Sequence, residues 1–320
     1  MLHLRLAVPA SIREEVERFL VEDPRVTNVT VLPGASRDPA GDAMSCDVAR
    51  EAASDVLARL RALGLDDGGT VAIQEVAASP SQAARDAERA APGSPDDGVV
   101  WDLVTDTAYD QVRPSWTYYA FLTLATLIAG VAVVLDSPIL VVGAMVVGPE
   151  FAVVAALALG VVLREGRLVW GSVRLLVQGF VAAIAITAVC GLLAAAIGWV
   201  DASSLTRPRP LTGFIWKPDH WSVTVALLAG VAGTLSLTAG RTNALVGVFI
   251  SVTTVPAAGN LALALALWVP AEMAGASAQL AVNLAGMVLA GAVTLLVQRV
   301  LWRRAGLRIH VAGRGQVTRR

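Results

Sequence analysis

The chain has 320 residues, 55% of them hydrophobic, and a mean hydropathy of +0.63, which excludes an ordinary soluble globular protein. Its net charge of −1 hides a division: residues 1–112 hold 20 Asp/Glu against 10 Arg, whereas residues 113–320 hold 6 Asp/Glu against 15 Lys/Arg. An acidic part precedes an apolar, basic one, and the acidic part excludes a nucleic-acid-binding surface, which has to be basic.

The alternation of Leu2, Leu4, Leu6 and Val8 predicts a strand. Ser11-Ile-Arg-Glu14 reads as a capping box opening a helix to about Glu22. Val26–Leu32 alternates again, and Ala43–Val48 is a weaker strand. Arg50–Leu63 has helical spacing and ends at Gly64, and Gly69–Val76 is a last strand. The order β-α-β-β-α-β is the ferredoxin-like α+β pattern, placed over residues 1–78. Residues 79–115 read as a linker with a short helix through Gln82–Ala90. An amphipathic segment, Trp101–Arg113, follows, whose aromatics suit a lipid headgroup layer. Met1–Pro9 is strand-like and carries Arg5, so no secretory signal is expected there. Cys46 and Cys190 fall in different parts and imply no disulfide framework.

Residues 116–302 predict an all-α membrane bundle of six spans: Trp116–Leu135, Pro138–Leu163, Val173–Val200, Trp221–Gly240, Ala244–Val269 and Ala278–Trp302. An internal repeat runs through them. Leu127-Ile-Ala-Gly-Val-Ala132 matches Leu227-Leu-Ala-Gly-Val-Ala232, Val142-Gly143 matches Val246-Gly247, and Pro149 and Pro256 interrupt the second and fifth spans. Three spans per copy reverse the second copy and give two inverted repeats with broken helices. Arg113, Arg164, Arg167, Arg174, Arg241, Arg299, Arg303 and Arg304 then fall on one side, with Arg207, Arg209 and Lys217 on the other. The positive-inside rule puts both termini in the cytoplasm of a bacterial cell, spanning its plasma membrane. Residues 303–320 form a basic tail that orients the protein and touches anionic lipid.

Glu150 stands in the middle of an apolar stretch, directly after Gly148-Pro149. An acid at that depth is costly and marks a substrate or ion path, or else it caps the half-helix that starts there. Candidate binding residues are therefore Glu150, Pro149 and Gly148, with Thr253, Thr254, Pro256 and Asn260 at the matching break. Hydroxyls beside a proline either satisfy freed backbone groups or coordinate a substrate. Asp136 and Ser137 form a turn and N-cap before Pro138, and Arg241 and Asn243 form the equivalent corner, where Arg241 can draw in an anion. Gln178 and Asn283, early in the third and sixth spans, are either interhelical glue or site residues. The glycines Gly130, Gly143, Gly148, Gly230, Gly233, Gly247 and Gly259 are expected to permit close helix packing.

The run Asp136-Ser-Pro-Ile-Leu-Val-Val-Gly-Ala-Met-Val-Val-Gly-Pro149 resembles the signature of the domain of unknown function 389 family, a group of prokaryotic hydrophobic membrane proteins. Arg241–Pro256 looks like that family's second half, and the soluble domain matches the branch that carries one. Many relatives have an apolar residue where this chain has Glu150. The resemblance implies a membrane protein and names no substrate. No Gly-x-x-x-x-Gly-Lys loop or His-Glu-x-x-His motif is present, and His3, His220 and His310 are scattered, so no enzyme, cofactor or metal is expected. The reading is a secondary transporter or channel for a small polar solute or ion, assembled as a homo-oligomer, with a regulatory or assembly N-terminal domain. The alternative is a non-transporting membrane sensor or scaffold whose soluble domain binds a small ligand.

Overall fold

The structure, a computed structural model, describes residues 1–91, 93, 98–239 and 253–304. It divides into two compact units, one built on Met1–Val104 and one on Thr105–Val297.

The first unit carries β1 (Leu2–Val8), α1 (Arg13–Glu22), β2 (Val26–Arg37), β3 (Ala40–Val48), a short 3-10 turn at Arg50–Ala52, α2 (Ala53–Ala62) and β4 (Thr70–Glu75). The β-α-β-β-α-β order is the one the sequence predicts. The strands form one antiparallel sheet in the order β2-β3-β1-β4, with Leu4 opposite both Cys46 and Ile73. Strand alternation puts Leu2, Leu4, Leu6 and Val8 on one face, where Val16 and Leu20 of α1 and Val56, Leu57 and Leu60 of α2 cover them. Each such side chain contributes about 1.5–3 kcal/mol by leaving water.

Two local readings need correction. Ser11 does not cap α1: the Ile12 N–H bonds the Pro9 carbonyl, the helix starts one residue later, and no side chain caps it. The second strand runs past Leu32 to Arg37. Pro33-Gly34 resembles a turn, yet the strand absorbs it as a register shift between Leu32 and Ser36, the usual effect of a bulge.

The same core takes in residues beyond 78. Helix α3 (Gln82–Ala90) is capped by Ser81 and buries Ala84 and Ala87. Ala91 and Val100 belong to the core cluster, and the Met1 ammonium lies 3.7 Å from Glu88. The Ser54 hydroxyl donates to the Val99 carbonyl and accepts from the Trp101 N–H, and Arg61 pairs with Asp102 at 2.7 Å. Trp101, which opens helix α4 (Trp101–Gln111), is consequently 2% exposed and is not the headgroup-facing aromatic that the sequence suggests. Glu51 is also buried, and neither of its carboxylate oxygens has a hydrogen-bond partner among the described residues.

The second unit is helical: α5 (Trp116–Leu135), α6 (Pro138–Val147), α7 (Glu150–Leu163), α8 (Gly166–Ala196), α9 (Ala202–Thr206), a 3-10 turn (Gly213–Trp216), α10 (His220–Thr238), α11 (Thr254–Ala266) and α12 (Pro270–Arg304). Among the described residues α5, α8, α10 and α12 are each long and apolar enough to cross a membrane, and α6 with α7, bent by 54°, make a fifth candidate. Twenty residues of α5 rise about 30 Å, the thickness of the hydrocarbon layer. Exposure is inverted relative to a soluble bundle. Phe121, Leu124 and Val131 face outward while Ala125 and Ala129 are buried, as lipid-facing helices with small interior residues require. Residues 240–252, which hold the first nine residues of the predicted fifth span, lie outside the described residues, and α11 alone is only 13 residues long.

Two outcomes are expected for the first unit. A fragment 1–104 should unfold cooperatively in urea, and a fragment 1–78, lacking Ala91, Val100 and the Glu88 partner of Met1, should unfold at lower urea or not fold. Burial pushes the Glu51 carboxyl above its ordinary range, with the Glu88 charge adding to the effect and its own backbone N–H, the Met1 ammonium and Arg50 opposing it. The folded unit therefore holds its proton more tightly than the unfolded chain. Glu51's contribution is present below the unfolded value and lost as pH rises through the folded one. Glu51→Gln should remove this loss and raise stability at pH 8 by about 1 kcal/mol or more, with little gain at pH 4, as read from urea melts of fragment 1–104 at both pH values.

Candidate functional site

The chain breaks at Gly148-Pro149 because proline has no N–H to donate and disfavours a helical residue before it. Gly148 ends α6 in an extended conformation, with φ −65° and ψ 126°, and α7 starts afresh at Glu150. Glu150 is 7% exposed, and Thr254 Oγ1 donates to its Oε1 at 2.6 Å. Its Oε2 has no hydrogen-bond partner among the described residues, nor does the buried Tyr118 hydroxyl, which lies within electrostatic reach of Glu150. A carboxylate at the first position of α7 suits the positive end of that helix.

Thr254 is likewise the first residue of α11, so the starts of two short helices meet across this one bond. Pro256 falls in the first turn of α11, where a missing N–H breaks nothing. The helices diverge from there. The end of α7 packs at the start of α8, where a Cβ on Gly160 would touch Val169 and Leu168. The end of α11, at Leu263 and Ala264, lies in one cluster with Val133 of α5, Val141 of α6 and Met273 of α12. Close crossings at glycine fix the arrangement. A Cβ on Gly259 would come within 2.7 Å of Ala129 Cβ, and one on Gly233 would enter the Phe151 ring.

A polar cluster continues from Thr254. Thr253 Oγ1 accepts from Gln279 Nε2 at 3.1 Å and from Asn283 Nδ2 at 2.9 Å, and Gln279 also donates to Asn283 Oδ1. A cavity of about 260 Å³ reaches Thr253 and Asn283 from the start of α10, where Asp219, Trp221 and Ser222 line it. Gln279 Oε1 is buried without a partner among the described residues. Midway along α11, Asn260 accepts from Arg209 at 2.9 Å and donates to Glu272 at 3.0 Å, and Arg209 pairs with Glu272 at 2.5 Å.

The structure thus gathers Gly148, Pro149, Glu150, Thr253, Thr254, Pro256 and Asn283. It puts Asn260 in a separate ionic cluster. Gln178 is exposed on α8 and accepts from the Tyr119 hydroxyl at 3.4 Å, so it does not join its counterpart Asn283. Asp136 sits in the left-handed region at the end of α5, accepting from Thr212 at 2.7 Å, and Ser137 caps α6. Burial opposes ionisation of Asp136, but hydrogen bonds from Thr212 and Leu211 and the Arg209 charge outweigh it and hold the carboxyl below its ordinary range. Arg241 and Asn243 lie outside the described residues. Sequence reasoning missed Gln279, Tyr118, Arg209 and Glu272. In the sequence Arg209 counts only among the charges of one side, and the available signal for Glu272 is an acid opening a long apolar stretch.

Broken apolar helices around a buried carboxyl are the architecture of a membrane-type helical protein. Residues 145–289 match the family described as domain of unknown function DUF389, as the Asp136–Pro149 run suggested. An uncharacterized protein of Methanocaldococcus jannaschii is 27% identical over 135 residues, covering 42% of this chain. The chain spans 39% of that relative's length. No solved structure matches.

The break leaves no room for a larger residue than glycine at position 148. A Cβ there would come within 2.4 Å of Glu150 Oε2 and 2.8 Å of Val255 Cγ2. Gly148→Ala is expected to cost about 1–3 kcal/mol through overpacking and to lower the melting temperature in detergent, with Gly143→Ala, where nothing lies within 4 Å, as the neutral control.

Proposed function

We propose that the second unit is a secondary transporter or channel for a small polar solute or ion, with its site where α7 and α11 meet. The observation that carries this reading is the Glu150–Thr254 contact: a buried acid, half unpartnered among the described residues, between two helix starts, with a cavity reaching the adjoining Thr253. Irregular backbone at membrane depth is tolerated where it lines a cavity, and converging half-helix ends are the usual form of such sites.

The same contacts support an inverted repeat in which the predicted fifth span is Ala244–Val269. Helices α7 and α11 start together and run to opposite faces. Each also packs against helices of the other half, α7 on α10 at Gly233 and α11 on α5 at Gly259. The reading extends to a bacterial plasma membrane with both termini cytoplasmic, on the arginine distribution, and to a homo-oligomer whose first unit is a ferredoxin-like regulatory or assembly module. No enzymatic step is part of it.

Glu150→Gln keeps the side-chain shape and the Thr254 hydrogen bond but cannot ionise. The variant is expected to insert and melt like the parent. In liposomes screened first for a flux of ions or polar solutes, it should lose at least about tenfold of that flux or its pH dependence. A variant that transports like the parent across the pH range would leave Glu150 as a helix cap and end the transport reading of this site.

A further inference from the structure

Arg207, Arg209 and Lys217 line one cavity of about 360 Å³ beside the segment joining α8 to α10, and Lys217 is the single lysine of the sequence. Each cation has a contact of its own, and Arg209 alone is buried. The Arg209 side chain is 1% exposed and gripped by Glu272 and Asn260, and its Nε is buried without a partner among the described residues. The Arg207 guanidinium donates to the Val134 carbonyl, a neutral acceptor that leaves its charge uncancelled. The Lys217 ammonium lies 4.8 Å over the Trp216 ring.

Against these three charges the lining offers one carboxylate, Glu272, already bonded to Arg209 and Asn260. Asp136 is within electrostatic reach of Arg209, but its oxygens accept from Thr212 and Leu211 and it does not line the cavity. The excess is positive, and the exposed Arg207 and Lys217 present it where an anion from solution or from a lipid surface can reach it. Fixed guanidinium forks match the oxygens of an oxyanion, and an ammonium adds a point charge.

We propose that this cavity is a binding site for a phosphate-type oxyanion, carried either by a small solute or by the headgroup of an anionic lipid. It shares no residue with the Glu150–Thr254 contact and stands or falls apart from the transport reading.

The test uses the full chain in nanodiscs of phosphatidylcholine, titrated calorimetrically with inorganic phosphate. Native mass spectrometry of the protein released from mixed phosphatidylcholine and phosphatidylglycerol discs forms a second arm. The variant is Arg207→Gln with Lys217→Gln, which spares the Arg209 latch, and the control is Arg164→Gln with Arg167→Gln. Saturable phosphate binding weakened at least about tenfold in the first variant alone identifies a solute site. Retained phosphatidylglycerol lost in the same variant alone identifies a headgroup site. If the double variant does not fold, Lys217→Gln is read in its place, with a weakening of about threefold or more expected. Binding in neither arm, or binding equal in parent and variant, overturns the proposal.

Discussion

An acid inside an apolar layer constrains everything around it. Glu150 cannot be left in lipid, so it has to be enclosed, and enclosing it requires neighbours that approach closely and donate hydrogen bonds. Both demands are met by interrupting helices. Pro149 stops α6 and lets α7 begin at the carboxyl, Gly148 leaves the room that the carboxyl fills, and Thr254 arrives at the start of another short helix to donate. The alanines and glycines of α5, α10 and α11 follow from the same demand, since the short helix α11 packs closely against its neighbours near its start. Pro256, Ala257, Ala258, Gly259 and Asn260 are all buried.

Much of this was legible in the sequence, for identifiable reasons. The strand alternation of Leu2–Val8 survives because one face is buried and the other is not, and a slip of one residue would turn the leucines to water. The apolar stretches and the Gly-Pro break read directly, because a missing backbone donor acts locally. Reading failed where the deciding contact was distant in sequence. The strand through Pro33-Gly34 depends on its partner β3, the burial of Trp101 depends on Ser54 and Arg61, and the separation of Gln178 from Asn283 depends on which face of α8 meets lipid. Arg209 and Glu272 were visible only as isolated charges, since 62 intervening residues conceal their pairing.

Helix α11 links the two polar clusters of the second unit. Its first residue, Thr254, bonds Glu150, and Asn260, six residues on, bonds both Arg209 and Glu272. A helix rises about 1.5 Å per residue, so the clusters are separated by about 9 Å along a rigid rod. A change in the partner of the Glu150 carboxyl that moved Thr254 by an ångström would be felt at Asn260, where the hydrogen bonds are 2.9 and 3.0 Å long and tolerate little stretching. Because buried charge pairs have discrete arrangements, such a displacement would break the Arg209–Asn260–Glu272 cluster or be resisted by it. The connection between α8 and α10, held to α11 and α12 through Arg209, thus shares helix α11 with the acid at the helix break. A carboxyl in the apolar interior and a charge cluster at one face of the unit act on the same element.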